Sequence, residues 1–388
     1  MARRRRSSWA SVVQRSMTAM TKVMLRAGGQ VVGTAAAQAA GLAVRRATAA
    51  RPATRRARQV PAPTPALPRR RRARPKVGKA AGTAARETAA LAAGGGRWLR
   101  GSVVGPAGAR QFQLYAPPAA DGRRPAPLLV MLHGCGQTSR ALALSTRMNR
   151  LAARAGWFVL YPSQDRRAHP QGCWNWYATR SGLAQAEAAT LLAAVDQVRR
   201  RHPVDPARVA VAGLSAGAGM AALLASLHPA RFRAVVMHSG VPVGAASSTA
   251  SALQAMFGRR APEALATEAD GAAALPPLLV IHGTADPVVA PANARLAAEA
   301  WATAAGAQAS PPRVLQRGQR HPMTVTDYRR RGRLAVTLCE VRGLAHAWSG
   351  GAAGQDHGDA RGPDASRLVM AFAARQFGLA PAADDDPP

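Results

Sequence analysis

From Trp98 to Gly378 the chain alternates short apolar runs with Ala- and Leu-rich stretches of helical length, and this alternation narrows the fold more than any other feature. The runs Leu128–Leu132, Phe158–Tyr161, Val209–Ala212, Ala234–Met237, Leu278–Ile281 and Leu334–Val341 are too short for helices and predict strands. Between most of them, Ala143–Ala155, Ala186–Arg201, Ala216–Leu227 and Ala292–Ala304 predict helices. Such an order builds an α/β fold, a mostly parallel sheet with helices on both faces. In sheets of this kind, sites lie outside the carboxyl ends of the strands. The residues that follow each run are therefore where chemistry is to be sought.

The most specific of these positions is Gly213-Leu214-Ser215-Ala216-Gly217, with a strand before it and a helix opening at Ala216. A sharp strand-to-helix turn of this pattern exposes the serine hydroxyl, and the glycines let neighbouring backbone approach without Cβ clashes. A serine hydroxyl needs a base to take its proton and a carboxylate to fix the base's tautomer, in the chain order acid then histidine. Asp286 lies just beyond the run Leu278–Ile281, and His346 follows the run Leu334–Val341 with Gly343 close before it. His238, His321 and His357 are the nearest rival bases. The developing oxyanion needs two N–H donors, expected from the glycine-rich loop at Gly134 and Cys135 and from Ala216. His133, in the same loop, reads as a structural histidine. Trp174 and Trp348 are candidate apolar walls for the substrate. This chemistry requires no cofactor, and no His/Cys/Asp cluster has zinc-like spacing, so no metal is expected.

These stretches resemble the poly(3-hydroxybutyrate) depolymerase family of esterases and are similar to bacterial feruloyl and acetylxylan esterases. The resemblance is carried by Leu132-His-Gly-Cys135 with Gln137-Thr138, Gly172-Cys-Trp-Asn-Trp-Tyr177, Val211–Gly217, His238-Ser-Gly240, His282-Gly283 with Ala285-Asp286, His346–Gly351 and Arg361–Ser366. It spans residues 98–378 and implies an α/β-hydrolase fold with Ser215, Asp286 and His346 as a triad. It further implies an acyl-enzyme route on small esters or oligomers of short hydroxyacids, and an extracellular setting. The three cysteines alone allow either one bridge or three reduced thiols, whereas the resemblance implies that Cys135 pairs with Cys173. Gly136 stands where the family usually has threonine, and Ala218 replaces a glycine; the first departure predicts a looser oxyanion loop. Alternatives are a feruloyl or acetyl esterase of plant polysaccharides, a serine peptidase on the same fold, and an inactive hydrolase domain serving as a granule- or membrane-associated binding protein.

Composition separates residues 1–97 from the rest. They hold 22 Lys and Arg against the single acid Glu87, net +21 of the chain's +34. Rich in Ala, Pro and Arg and poor in large apolar side chains, this region predicts disorder. Within it, 9–26 predicts an amphipathic helix, with Trp9, Val12, Val13, Met17, Met20, Val23 and Met24 on one side and Arg15, Lys22 and Arg26 on the other. Such a helix suits an anionic membrane or a polymer granule, or else packs on the catalytic domain. The arginine blocks beyond it would hold nucleic acid non-specifically, but no DNA-binding motif selects that partner. No run is long enough for a membrane span, and Gln14, Arg15, Ser16 and Lys22 interrupt any signal-peptide core, so the sequence itself does not support export. Residues 379–388 read as an acidic tail.

Overall fold

The computed structural model describes residues 85–118, 124–266 and 274–380. The chain divides into two units, Met1–Ala80 and Ala81–Pro388. Most of the expected basic region, with its 9–26 helix, and most of the acidic tail lie outside the described residues.

In chain order the second unit contains β1 (Arg97–Gly105), β2 (Gly108–Ala116), β3 (Ala126–Leu132), α1 (Ser139–Thr146), α2 (Met148–Ala155), β4 (Phe158–Pro162), α3 (Leu183–Arg201), β5 (Val204–Leu214), α4 (Ala216–Leu227) and β6 (Ala234–His238). There follow α5 (Thr249–Met256), β7 (Leu278–Gly283), α6 (Ala292–Ala304), β8 (Gln308–Ala309), β9 (Arg313–Leu315), β10 (Met323–Arg330), β11 (Arg333–Val341), the short β12 (Trp348–Ser349) and β13 (Gly358–Asp359), and α7 (Ala365–Gln376). The main sheet runs β1-β2-β4-β3-β5-β6-β7-β11-β10-β8, with β9 also on β10. From β4 to β11 the neighbours are parallel. Both margins are antiparallel. This is the α/β architecture expected.

Burial alternates along the central strands. Leu128, Val130 and Leu132 join α3, α4 and α6 in one core. Leu129 and Met131 face the other way and pack with Leu142, Met148, Val369 and Phe372 of α1, α2 and α7. Strands covered on both faces are apolar on both, which is why they read as continuous runs. Two expectations are revised. The predicted helix 143–155 starts earlier and is two helices, parted at Arg147, whose φ of 54° is left-handed. The folded unit also starts upstream of Trp98. A helical stretch 85–91 buries Leu91, whose carbonyl accepts from Asn149 Nδ2 at 2.8 Å, and Ala93 O accepts from Tyr115 Oη at 2.7 Å.

Candidate active site

Ser215 stands between β5 and α4 with φ 57° and ψ −120°, a conformation that L-residues seldom adopt. Its neighbours enforce the turn. A Cβ on Gly213 would lie 2.1 Å from Gly217 O, and one on Gly217 would lie 2.2 Å from Leu132 O. Both positions must therefore be glycine for β5, the turn and the loop after β3 to meet. The Ser215 N–H donates to His238 O at 2.9 Å, tying the turn to the end of β6. Ala218, the departure from the family pattern, buries its methyl against Gly240, where a second Cβ would come within 2.6 Å.

On the next strands the structure brings Asp286 and His346 together. His346 Nδ1 donates to Asp286 Oδ2 at 2.7 Å, and both residues are buried. A carboxylate only accepts, so the Nδ1 proton leaves the ring's acceptor lone pair on Nε2. The other oxygen, Oδ1, accepts from the N–H groups of Val288 and Val289, each at 2.9 Å. Burial pushes the Asp286 carboxyl up, but hydrogen bonds from His282 and His346 and their charge outweigh burial and hold it well below the usual carboxylate range.

Of the rival bases, His238 has both ring nitrogens engaged. His238 is buried, stacks on Trp348, accepts from Ser349 N–H through Nε2 at 3.0 Å and donates from Nδ1 to Ser239 Oγ at 3.1 Å. Burial, then repulsion from His282 and His346, lowers it to about 3. His321 faces Asp359 at 3.5 Å, and His357 holds a left-handed φ of 64°. His133 donates from Nδ1 to Gly134 O at 2.9 Å and accepts from Gln164 N–H through Nε2 at 3.1 Å, and burial lowers it to about 4. That geometry fits the structural role expected for it.

The loop after β3 is held from several sides. Cys135 is disulfide-bonded to Cys173, Gly136 N–H donates to Gln171 O at 2.9 Å, and Cys339 is a buried free thiol. The glycine departure at 136 therefore does not leave the loop unheld; its φ of 75° is a conformation that threonine resists. Behind Cys173, buried Glu187 accepts from Asn175 N–H at 2.8 Å, Asn175 Nδ2 at 2.8 Å, Gln164 Nε2 and Arg110 Nη2. Of the expected oxyanion donors, Gly134 N–H is already given to Gln137 Oε1 at 3.0 Å. Among the described residues no acceptor takes the N–H of Cys135 or of Ala216.

The two tryptophans do not form cleft walls. Trp174 and Trp348 are fully buried, their indole N–H groups donating to His133 O and Ser366 Oγ, each at 3.0 Å. Trp174 braces the loop after β3 through His133 O, and Trp348 stacks on His238. Sequence reasoning missed His282, which shares Asp286 with His346, and the carboxylate hub at Glu187. Nothing marks a buried glutamate within an Ala-rich helix except its isolation among apolar neighbours.

A family model described as esterase PHB depolymerase matches residues 110–308, which include Ser215 and Asp286 and end before His346. Poly(3-hydroxyalkanoate) depolymerase C of Paucimonas lemoignei is 35% identical over 176 residues, 43% of this chain and 42% of that protein. Poly(3-hydroxybutyrate) depolymerase of Ralstonia pickettii is 26% identical over 264 residues, 62% and 51% of the two chains. The matched stretch thus spans about half the length of these depolymerases or less. Feruloyl esterase B of Thermothelomyces thermophilus is 26% identical over 51% of this chain and 71% of its own. An acetyl xylan esterase from Aspergillus awamori has the same fold, with a TM-score of 0.55 at 19% identity, covering 73% of this chain and 100% of that one.

Proposed function

The chain belongs to the esterase PHB depolymerase family, and from that premise we propose that it is a serine carboxylic-ester hydrolase acting on short-chain hydroxyalkanoate esters or oligomers. The observation that carries the reading is the strained turn at Ser215, a non-glycine residue at positive φ held by two obligatory glycines at the end of a central parallel strand. In this reading Ser215 Oγ attacks the ester carbonyl carbon while His346 Nε2 takes its proton. The tetrahedral oxyanion rests on the N–H groups of Cys135 and Ala216, which have no acceptor among the described residues. Collapse breaks the bond to the alcohol, which leaves with the proton from His346. Water then attacks the acyl-Ser215 ester by the same route and releases the acid. Asp286 stays ionised throughout, fixing the imidazole tautomer and stabilising the imidazolium.

A second reading, hydrolysis of feruloyl or acetyl esters of plant polysaccharides, is favoured by coverage, since the feruloyl esterase is matched over more of its own length than either depolymerase. Rates on p-nitrophenyl acyl esters, methyl ferulate and hydroxybutyrate oligomers separate the two. The first reading expects the oligomers to give the highest kcat/KM, and preference for methyl ferulate or acetyl esters would transfer the assignment to the second. Residues 9–26, with the basic stretch that follows, are proposed to anchor the enzyme to an anionic or lipid-coated surface.

A further inference from the structure

His282 is the last residue but one of β7, four residues before Asp286, and is 1% exposed. Its Nε2 lies 3.0 Å from Val289 O and 3.3 Å from Asp286 Oδ2. A carbonyl oxygen only accepts, so Nε2 carries a proton; that N–H bonds the carbonyl and reaches the carboxylate with a longer, weaker branch. Its other nitrogen, Nδ1, is buried and has no hydrogen-bond partner among the described residues. An imidazole with one nitrogen unpaired is a costly way to fill space in a strand that is otherwise Leu278, Leu279, Val280 and Ile281, each of them buried. Leucine would fill that space without an orphaned polar atom. What the imidazole adds is the donor on Nε2.

The backbone around this donor is tightly fixed. A Cβ on Gly283 would lie 2.0 Å from Leu344 O, so the turn after β7 is pressed against the loop that carries His346. Ala285 N–H donates to Leu344 O at 3.1 Å, Thr284 N–H to Val341 O at 2.9 Å, and Gly343 N–H to Thr284 Oγ1 at 3.0 Å. With Val288 and Val289 on Oδ1 and His346 on Oδ2, the His282 N–H completes a set of four donors around the carboxylate. The titratable groups near His346 besides His282 and Asp286 are His238 and His357. Both are lowered by burial first and by His346.

We propose that His282 is a positioning residue for the acid–base pair: its forked N–H holds the Asp286 carboxylate towards His346 and shares its charge, and so sets how basic His346 is. This rests on the reading of Asp286 and His346 as acid and base. The sign follows from the charges. Without the His282 donor the carboxylate is less neutralised, the His346 imidazolium is better stabilised, and His346 holds its proton to higher pH. Because hydrolysis needs neutral His346, the acid limb of kcat/KM then moves to higher pH.

The test uses the full chain, a soluble p-nitrophenyl ester and three variants, with near-UV circular dichroism as a check on folding. His282→Leu removes the donor, His282→Gln places a side-chain N–H near the former Nε2 position, and His282→Asn is polar but too short to reach the carboxylate. His282→Leu and His282→Asn should lose about 10- to 100-fold in kcat with KM little changed, the scale of one hydrogen bond to a charged group. Their acid limb should move up in pH, while His282→Gln recovers most of the rate and the original limb. Should His282→Leu fail to fold, the contrast between Gln and Asn carries the test alone. A fall in kcat with the acid limb unmoved, or equal behaviour of Gln and Asn, would overturn the proposal. The low-field proton resonance of His346 Nδ1 reads the Asp286 contact without any ester. It should shift in His282→Asn and not in His282→Gln, and an unshifted resonance in His282→Asn also overturns the proposal. If Ser215→Ala keeps hydrolysing esters, the catalytic reading fails instead, and the resonance still decides whether His282 holds the carboxylate.

Discussion

At position 217 a methyl group has nowhere to go. Leu132 O and His133 O would lie 2.2 and 2.6 Å from it, and both belong to backbone that also shapes the oxyanion loop. Gly217→Ala is therefore expected to cost about 2 kcal/mol or more, the scale of overpacking a rigid site, and to lower activity by moving Ala216. Urea unfolding checks the first and kcat the second; a variant as stable and as active as the parent would mean that the turn is less crowded than the structure has it. That Ser215, Asp286 and His346 lie just beyond strand ends could be read from the sequence, because each follows a strand-like run; the catalytic role of the three is our proposal. The directions of Trp174 and Trp348 could not. Side-chain orientation depends on which loops lie above the ring, and nothing local in Gly172–Tyr177 or His346–Gly351 encodes that. The loss of Gly134 N–H to Gln137 was equally hidden, since it turns on one side-chain rotamer.

Among the elements, the central strands were legible because burial on both faces makes them uniformly apolar. The β1–β2 hairpin, β10 and α7 were not, for different reasons. In β10, Met323, Val325 and Asp327 face inward between half-exposed Thr324, Thr326 and Tyr328, so its two-residue period is mixed with polar side chains. Helix α7 buries Ala365, Val369, Met370, Phe372 and Ala373, carries Arg367 and Arg375 in its first and last turns, and lies outside the strand–helix alternation. The stretch 85–95 was read as part of the basic region, yet Leu91 is 2% exposed and its carbonyl is needed by Asn149. A chain starting at Gly96 therefore loses about 2 kcal/mol of Leu91 burial and about 1–3 kcal/mol for each polar partner left unmatched. A chain starting at Ala81 keeps both. The expected outcome is that the Ala81 chain matches the full protein in soluble-ester activity and urea midpoint while binding anionic vesicles or polymer granules less, and that the Gly96 chain unfolds at clearly lower urea. Equal midpoints for the two truncated chains would show that 85–95 contributes nothing, and undiminished vesicle and granule binding by the Ala81 chain would remove the anchoring role.

For the molecule as a whole, acid should act through its buried histidines. His133 and His238 are lowered from 6.5 to about 4 and about 3 by burial first. Burial also lowers His169, His202, His228 and His357. Below pH 6.5 the unfolded chain takes up protons that the folded one refuses, so this stability is complete above that pH and is lost as pH falls towards 4 and 3. Asp286, held low in the folded state, adds loss of the same sign at still lower pH. The urea midpoint should fall steadily from pH 6.5 to 4, and a flat profile there would contradict the account of His133 and His238 as neutral structural groups. The central claim is that esters pass through an acyl group on Ser215. Its most direct test is rapid-quench mass spectrometry of the intact protein with a p-nitrophenyl 3-hydroxybutyrate ester, followed by peptide mapping. The account expects one acyl mass per chain, on the peptide containing Ser215, formed with the nitrophenol burst and missing from Ser215→Ala; the same adduct on another residue, or undiminished turnover by Ser215→Ala, would contradict it.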